Sequence, residues 1–285
     1  MKQQKQTFNP RQYMLREDFE LFHNKDDALL GVEFHDHHFY EAFFYISGKV
    51  TYVIEGKSYK LRPGDIILIN NREIHRTVVE LGSVYERVVL WIDPGYISRL
   101  SRENEDLATC FTSSAIKKYN LLRPKSDMLI QIKNTINRLE KALNGKGFGN
   151  SILTESYLGE LLVYMNRAYQ DTRDEEIEID IEYNPKISEV IRYINANLDQ
   201  SLTLEELSAR FYISKYHLLR EFKKSTGYTI HRFIHKKRMI LARELLAEKM
   251  KVTETCIQCG FGDYANFIRA FKKEYGVSPK KFVQE

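Results

Sequence analysis

The chain has 285 residues, 43% apolar and 29% charged, with three cysteines and a formal net charge of +4. Such a composition belongs to a folded, water-soluble protein long enough for two domains; no apolar run approaches the roughly 20 residues that span a bilayer, and an odd cysteine count builds no disulfide framework. The charge is unevenly placed: residues 185–285 carry 19 Lys and Arg against 11 Asp and Glu, net +8, while the other 184 residues carry 24 against 28, net −4, so the C-terminal third is the part suited to a polyanion.

The chain starts MKQQKQTFNPRQYML. A basic start without an apolar core or a small-residue cleavage site does not read as a secretory signal, and the cytoplasm, with no membrane partner, is the expected setting. Residues 30–91 then alternate apolar and polar positions between turn signals at Ser47-Gly48, Glu55-Gly56 and Arg62-Pro63-Gly64-Asp65. Pro at the second and Gly at the third position of the last suit a type II turn. Strands at this spacing predict a small antiparallel barrel or sandwich. Within it, His35, His37 and Glu41 share parity and would project from one face of an uninterrupted strand, with His75 returning from a later one. The HDHHFYE segment, Gly48, the Pro63-Gly64-Asp65 turn and His75 together resemble the two motifs of the cupin barrel. The four residues could form a divalent metal site of the Zn, Mn, Fe or Ni class, an effector-binding polar cluster, or a structural one. Which of His37 and His38 points inward is left open by the pattern.

After Pro94 the period changes. Leu129, Ile132, Ile136, Leu139 and Leu143 recur every three or four residues, the stripe of an amphipathic helix that the Gly145–Gly149 loop ends. A second helix, from about Ser151 to Tyr169, is apolar on more than one face, enough to pack on the barrel and leave a face for a second copy of the chain. The acidic stretch 171–184 reads as a linker with room for a short edge strand, separating a 1–170 sensor and dimerisation domain from an all-helical domain at 185–285.

The all-helical part contains a repeat. SKYHLLREFKKSTGYT from Ser214 and DYANFIRAFKKEYGVS from Asp263 align at an offset of 49, with Arg220/Arg269, Phe222/Phe271, Lys223/Lys272, Lys224/Lys273 and Gly227/Gly276 identical. Each copy opens on an N-cap residue and closes on Gly. Each follows a short helix, Thr203 to Arg210 with a Thr-Leu-Glu-Glu capping box and Thr253 to Cys259. Short helix, tight turn and longer helix make a helix-turn-helix unit, whose second helix enters the major groove of duplex DNA. Burying the apolar positions leaves Ser214, Lys215, Tyr216, His217, Arg220 and Lys224 exposed in one unit, and Tyr264, Ala265, Asn266, Arg269 and Lys273 in the other. Arg suits guanine and Asn adenine, while the lysines and the Ser214 hydroxyl suit phosphates. A continuous helix over residues 230–247 would hold the two readers at a fixed spacing.

Gly260-Phe261, Asp263-Tyr264, Phe267, Arg269, Phe271-Lys272-Lys273, Gly276, Ser278-Pro279 and Phe282 resemble the C-terminal signature of the AraC/XylS family of bacterial transcription regulators. The resemblance implies an α+β protein: a cupin-like antiparallel β-barrel with a following helix pair, then an all-α domain of two helix-turn-helix units joined by a long helix. It implies two DNA-binding units and an N-terminal domain that senses a small-molecule effector, dimerises, or both, with RNA polymerase as a partner if the protein activates. Ser208 and Cys256 stand where that family usually has Ala, and Phe211-Tyr212 where Gly is common. Cys256 and Cys259 are spaced as a metal or redox pair, but four zinc ligands are lacking, and packing is the expected role. The competing reading is a metal-dependent cupin enzyme with an accessory nucleic-acid-binding domain; two positioned major-groove helices favour the regulator, with no catalytic residues and no certain cofactor.

Overall fold

Between Phe19 and Ile92 the apolar alternation resolves into eight strands: β1 (Phe19–Asp26), β2 (Val32–His35), β3 (Tyr40–Ser47), β4 (Val50–Ile54), β5 (Lys57–Lys60), β6 (Ile66–Ile69), β7 (His75–Val79) and β8 (Tyr85–Ile92). The computed structural model describes residues 11–26, 32–80, 82, 84–112 and 119–284, so residues 1–10 of the basic start considered as a signal lie outside the described residues. The chain divides into two units, residues 1–54 with 58–182, and residues 183–285 with the short segment 55–57. In the first, strands β1-β8-β3-β6 continue to β9 (Leu121–Leu122), and β5-β4-β7-β2 form a second sheet edged by β10 (Ile181–Tyr183). The pairings β1–β8, β8–β3, β3–β6, β4–β7 and β2–β7 are antiparallel.

Strand β3 shows how the alternation divides space. Glu41 pairs with Trp91 and Ala42 with Leu90, so successive residues face opposite sides. Tyr40, Ala42 and Phe44, with Ile66, Leu68, Val88 and Leu90, pack under two helices, α3 (Ser126–Asn144) and α4 (Asn150–Asp171). Those helices contribute Ile132, Ile136, Leu139, Leu158, Leu161 and Met165 to the same core. Burying each such side chain is worth about 1.5–3 kcal/mol. Glu41, Phe43 and Tyr45 face the barrel interior, where Phe43 meets Tyr52 and Tyr85. The Arg62–Asp65 turn forms as expected: Gly64 has φ +99° and the Asp65 amide donates to the Arg62 carbonyl. Short helices α1 (Pro94–Leu100) and α2 (Thr109–Thr112) precede β9.

One sequence expectation is corrected here and another is sharpened. The strand carrying His35 and Glu41 is not uninterrupted, because residues 36–39 turn a corner between β2 in one sheet and β3 in the other. Residues 171–184, expected as a linker with room for a short edge strand, do provide that strand at the edge of the second sheet, and the rest of the stretch is ordered as well. Helix α4 runs to Asp171, and α5 (Asp174–Ile177), a 3-10 turn (Glu178–Asp180) and β10 follow, with Ile177 and Ile181 buried. Arg123 fastens this segment: it makes two 2.8 Å hydrogen bonds to the buried Asp65 carboxylate and one of 2.9 Å to Asp180. The acidic run is thus partly the counter-charge of an arginine that composition alone does not locate.

The second unit is helical: α6 (Pro185–Ala196), α7 (Leu204–Arg210), α8 (Lys215–Thr226), α9 (Ile230–Ala247), α10 (Val252–Gln258), α11 (Tyr264–Tyr275) and α12 (Pro279–Gln284). Its helix starts are written locally. Asn184 accepts from the amides of Lys186 and Ile187 ahead of Pro185 at the first position of α6, and Thr203 and Glu206 close the reciprocal capping box of α7. The second short helix begins at Val252, one residue earlier than Thr253, with Lys251 as an N-cap that makes no side-chain bond. Helix α9 is unbroken over 18 residues, about 27 Å at 1.5 Å per residue. Phe222 and Phe233 pack edge to face at 5.3 Å in the core of the first helix-turn-helix unit. Met239, Leu246, Cys256, Cys259, Phe267 and Phe271 form the core of the second.

The two copies differ by one residue. Helices α7 and α10 are offset by 48, α8 and α11 by 49, so the second turn is the longer. After α7 the left-handed position falls on Tyr212, φ +52°; after α10 it falls on Gly260, φ +70°. The amides of Ile213 and Phe261 then donate to the carbonyls of Ser208 and Cys256, closing equivalent helix ends. The family's usual Gly is therefore replaced in the first copy without changing the backbone course.

Candidate functional site

Each helix-turn-helix unit presents the N-terminal half of its second helix to solvent. Leu218 and Phe222 anchor α8, and Phe267 and Phe271 anchor α11, all fully buried. With those positions fixed by the 3.6-residue period, Ser214, Lys215, Tyr216, His217, Arg220 and Lys224 are exposed, as are Tyr264, Ala265, Asn266, Arg269 and Lys273. Ser214 caps α8 by accepting from the His217 amide, and Asp263 caps α11 by accepting from the Asn266 amide. A coupling that sequence reading missed is repeated in both copies. Arg220 bonds His217 at 3.4 Å, and Arg269 bonds Asn266. Each pair is spaced i, i+3, so it lies side by side on the helix face. The spacing was visible in the sequence; the pairing of an arginine with a planar polar neighbour is what it implied. Arg220 also touches Glu221, and Lys215 pairs with Glu205 on α7. Exposed pairs of this kind are worth about 0–1 kcal/mol and exchange readily for a stronger anion.

Cys256 and Cys259, free thiols, fill the core of the second helix-turn-helix unit. Burial pushes the Cys259 thiol up to about 12 and raises that of Cys256, which keeps both protonated and unreactive at neutral pH.

In the barrel, the corner at residues 36–39 brings His35, His37 and His75 together, with one ring nitrogen from each within 4.8 Å of the others. His37 is buried and His38 exposed, which answers the choice left open by the pattern. The Nδ1 atoms of His35, His37 and His75 lie 2.9, 2.8 and 3.0 Å from the carbonyl oxygens of Glu33, Phe39 and Glu73. A carbonyl only accepts, so each Nδ1 carries the hydrogen and Nε2 is left to face inward. The His75 Nε2 is buried with no hydrogen-bond partner among the described residues. Burial, helped by the neighbouring imidazole, pushes His35 and His75 down to about 4 and also lowers His37, so the neutral forms prevail at pH 7.

Glu41 stands beside them. Its carboxylate accepts from the Tyr52 hydroxyl at 2.7 Å and the Trp91 indole at 2.8 Å, and lies 3.4 Å from the His37 Nε2. Burial pushes the Glu41 carboxyl up, but the Tyr52 hydroxyl and, once His37 is protonated, its Nε2–H and positive charge outweigh it and hold the group below the usual carboxylate range. A neutral His37 with its hydrogen on Nδ1 turns a lone pair toward a carboxylate. That contact becomes favourable only when a proton or another cation lies between them. Trp91 and Tyr52 were not singled out from the sequence, because Trp91 is identified only by the register opposite Glu41 and Tyr52 only by the packing of the second sheet against it. The interior also holds Arg87, buried, stacked over Tyr85 at 4.2 Å and paired with Asp26.

Residues 20–162 match the family model described as an AraC-like ligand binding domain, and residues 207–285 match one described as a helix-turn-helix domain. Over 258 residues the chain is 24% identical to the HTH-type transcriptional activator RhaS of Escherichia fergusonii, covering 88% of this chain and 87% of that protein. The corresponding protein of Salmonella typhimurium gives the same identity and coverage. Among solved structures, ToxT from Vibrio cholerae is 14% identical, with a TM-score of 0.36 over 93% of this chain and 98% of that one.

Proposed function

Since the chain belongs to the AraC family of transcription regulators, with its ligand-binding domain followed by a DNA-binding one, we propose that α8 and α11 are its two sequence-reading helices and enter successive major grooves on one face of the duplex. The observation that carries this reading is the repeated couple, His217 with Arg220 and Asn266 with Arg269, on the exposed face of two helices. A helix α9 of about 27 Å spaces them on the scale of one DNA turn, roughly 34 Å. Arg220 and Arg269 then read guanine and Asn266 adenine. Lys215, Lys224, Lys273 and the Ser214 hydroxyl hold phosphates, and Tyr216, His217, Tyr264 and Ala265 complete the groove contact.

The test is a pair of substitutions measured by quantitative DNA binding over a salt series. Arg269→Ala relaxes base preference at one position and costs about 1–3 kcal/mol there. Lys273→Ala weakens all sequences alike and flattens the slope of log K against log salt by about 0.9. Uniform loss in both variants would refute the division of roles.

Effector control follows from the barrel. His35, His37, Glu41 and His75 form its polar centre, and a small molecule held there is the regulatory signal in this reading. A second reading is favoured by the imidazole geometry: three Nδ1 atoms tied to carbonyls and three Nε2 atoms turned inward is the outer-shell pattern of metal-binding histidines, and the donor set fits a divalent cation of the Zn, Mn, Fe or Ni class. Two nitrogens about 2.1 Å from one ion lie at most about 4.2 Å apart, so the cluster would close slightly around it. Such an ion would supply an electrophilic anchor for the effector. Metal analysis of the dialysed protein distinguishes the readings: about one equivalent retained, and lost in His75→Ala, supports the ion, whereas a metal-free protein whose thermal midpoint ignores added Zn²⁺ leaves hydrogen bonding alone.

Family membership supports a regulator over the metal-dependent enzyme, and the cytoplasm, where its DNA lies, as the compartment; no described helix is long and apolar enough to cross a membrane. The similarity to activators supports RNA polymerase as a partner. The exposed Ile152 and Leu153 on α4 and Ile130 on α3 support a homodimer through this helix pair, to be read by sedimentation of the full chain.

A further inference from the structure

Under α3 the helix-facing side of the first sheet is incompletely covered. A cavity of about 250 Å³ lies between them, floored by Phe44, Ile66 and Val88 and roofed by Leu129, Ile132 and Ile136. It is separate from the histidine cluster, because the floor residues of β3 and β8 alternate with Glu41 and Trp91 and point away from the interior. A partly open recess lined mainly by apolar side chains favours apolar guests; a closed apolar cavity of about 150 Å³ admits benzene. The larger volume here accommodates a substituted ring or a chain of about eight carbons.

The polar groups at its edge decide what else the guest must carry. Asp65 is saturated by Arg123 and by the Arg62 amide at 2.8 Å. Glu140 accepts from the His23 Nδ1 at 3.1 Å, and His23 reaches Glu86 with its other nitrogen. Lys133, exposed at the rim, makes no ion pair with a described residue. An apolar chamber whose uncommitted edge charge is a single ammonium is complementary to one anionic head on an apolar body.

We propose that this cavity is a second small-molecule site, taking an amphiphile with an apolar body of about eight carbons and one carboxylate held by Lys133. The site adds to the barrel centre and does not depend on what that centre binds. Calorimetric titration of the full chain with octanoate, and with 1-octanol as the uncharged control, tests it. The expected result is saturable binding of one octanoate per chain. Lys133→Gln weakens octanoate about tenfold, the loss of one charge-assisted contact, and leaves octanol unchanged. Leu129→Trp fills the chamber and abolishes both. Octanoate binding that survives Leu129→Trp, that ignores Lys133→Gln, or that does not saturate overturns the proposal. Because Lys133 lies on the solvent side of α3, its variant keeps the test decisive even where Leu129→Trp fails to fold.

Discussion

Gly260 and Tyr212 occupy equivalent left-handed positions in the two readers, and substituting them should move stability in opposite directions. In Gly260→Ala the new Cβ would lie 2.3 Å from the Leu198 carbonyl oxygen and 2.8 Å from the Arg238 Nη2. Neither can yield cheaply, since Arg238 is itself clamped to that loop, donating to the carbonyls of Leu198 at 2.9 Å and Gln200 at 2.7 Å. A left-handed alanine costs about 1–2 kcal/mol, and losing one of the two charge-assisted bonds adds about 1.5–3 kcal/mol. The stiffer unfolded chain returns about 0.5–1 kcal/mol, so the net loss is about 3 kcal/mol. In Tyr212→Gly the same conformational cost is removed from a side chain that is 92% exposed and so gives up little packing. Against the glycine's chain entropy, the net gain is about 0.5 kcal/mol. Urea unfolding followed by far-UV circular dichroism measures both, with the fluorescence of Trp91, the single tryptophan, reporting the N-terminal unit in parallel. A Gly260→Ala loss below about 1 kcal/mol, or a Tyr212→Gly variant clearly less stable than the parent, would refute the assignment of strain to these two residues.

Two further outcomes concern the N-terminal unit. The Glu140 hydrogen bond, with a further contribution from Glu86, raises the His23 pKa above its ordinary 6.5. The stabilisation is therefore full below pH 6.5 and is lost as pH rises through the raised folded value. His23→Gln should remove that alkaline decline from Trp91-monitored melts, and parallel wild-type and variant curves would count against it. Arg123→Met strands the Asp65 carboxylate, 2% exposed, without its bidentate partner. Breaking such a pair costs about 3–5 kcal/mol, at the lower end here because Asp65 retains the Arg62 amide. A shift in urea midpoint equivalent to under about 1 kcal/mol would mean that water replaces the guanidinium.

What could be read from the sequence was local. Ser214, Asp263, Gly227, Gly276 and the Thr203/Glu206 box act through bonds that span three or four residues, so their spacing is sufficient to locate them. The same holds for the turn at Pro63-Gly64 and for the exposed faces of α8 and α11, which a period of 3.6 determines once Phe222 and Phe271 are assigned to the core. The histidine cluster was legible in membership and not in cause. Shared parity on one strand suggested it, while the molecule assembles it across a corner between two sheets. The remainder depends on distant partners. Arg123 turns an apparently free acidic stretch into an anchored one, Trp91 meets Glu41 only through strand register, and the chamber under α3 arises from how a helix sits on a sheet. No pattern within a window of sequence contains those distances. The extra residue in the second turn was hidden differently, because one offset of 49 aligned the longer helices well enough to conceal the 48 that precedes it.

Strand β3 is a party wall. Glu41 and Phe43 face the barrel interior while Phe44 and Ile46 line the chamber under α3, and a single backbone carries both sets. Two guests that each displace this strand are thereby linked by exchange symmetry: whatever factor the first imposes on the affinity of the second, the second must impose on the first. Tyr40–Ser47 would be the ledger in which both concentrations are recorded, and measuring either affinity at saturation with the other guest reads it from both sides.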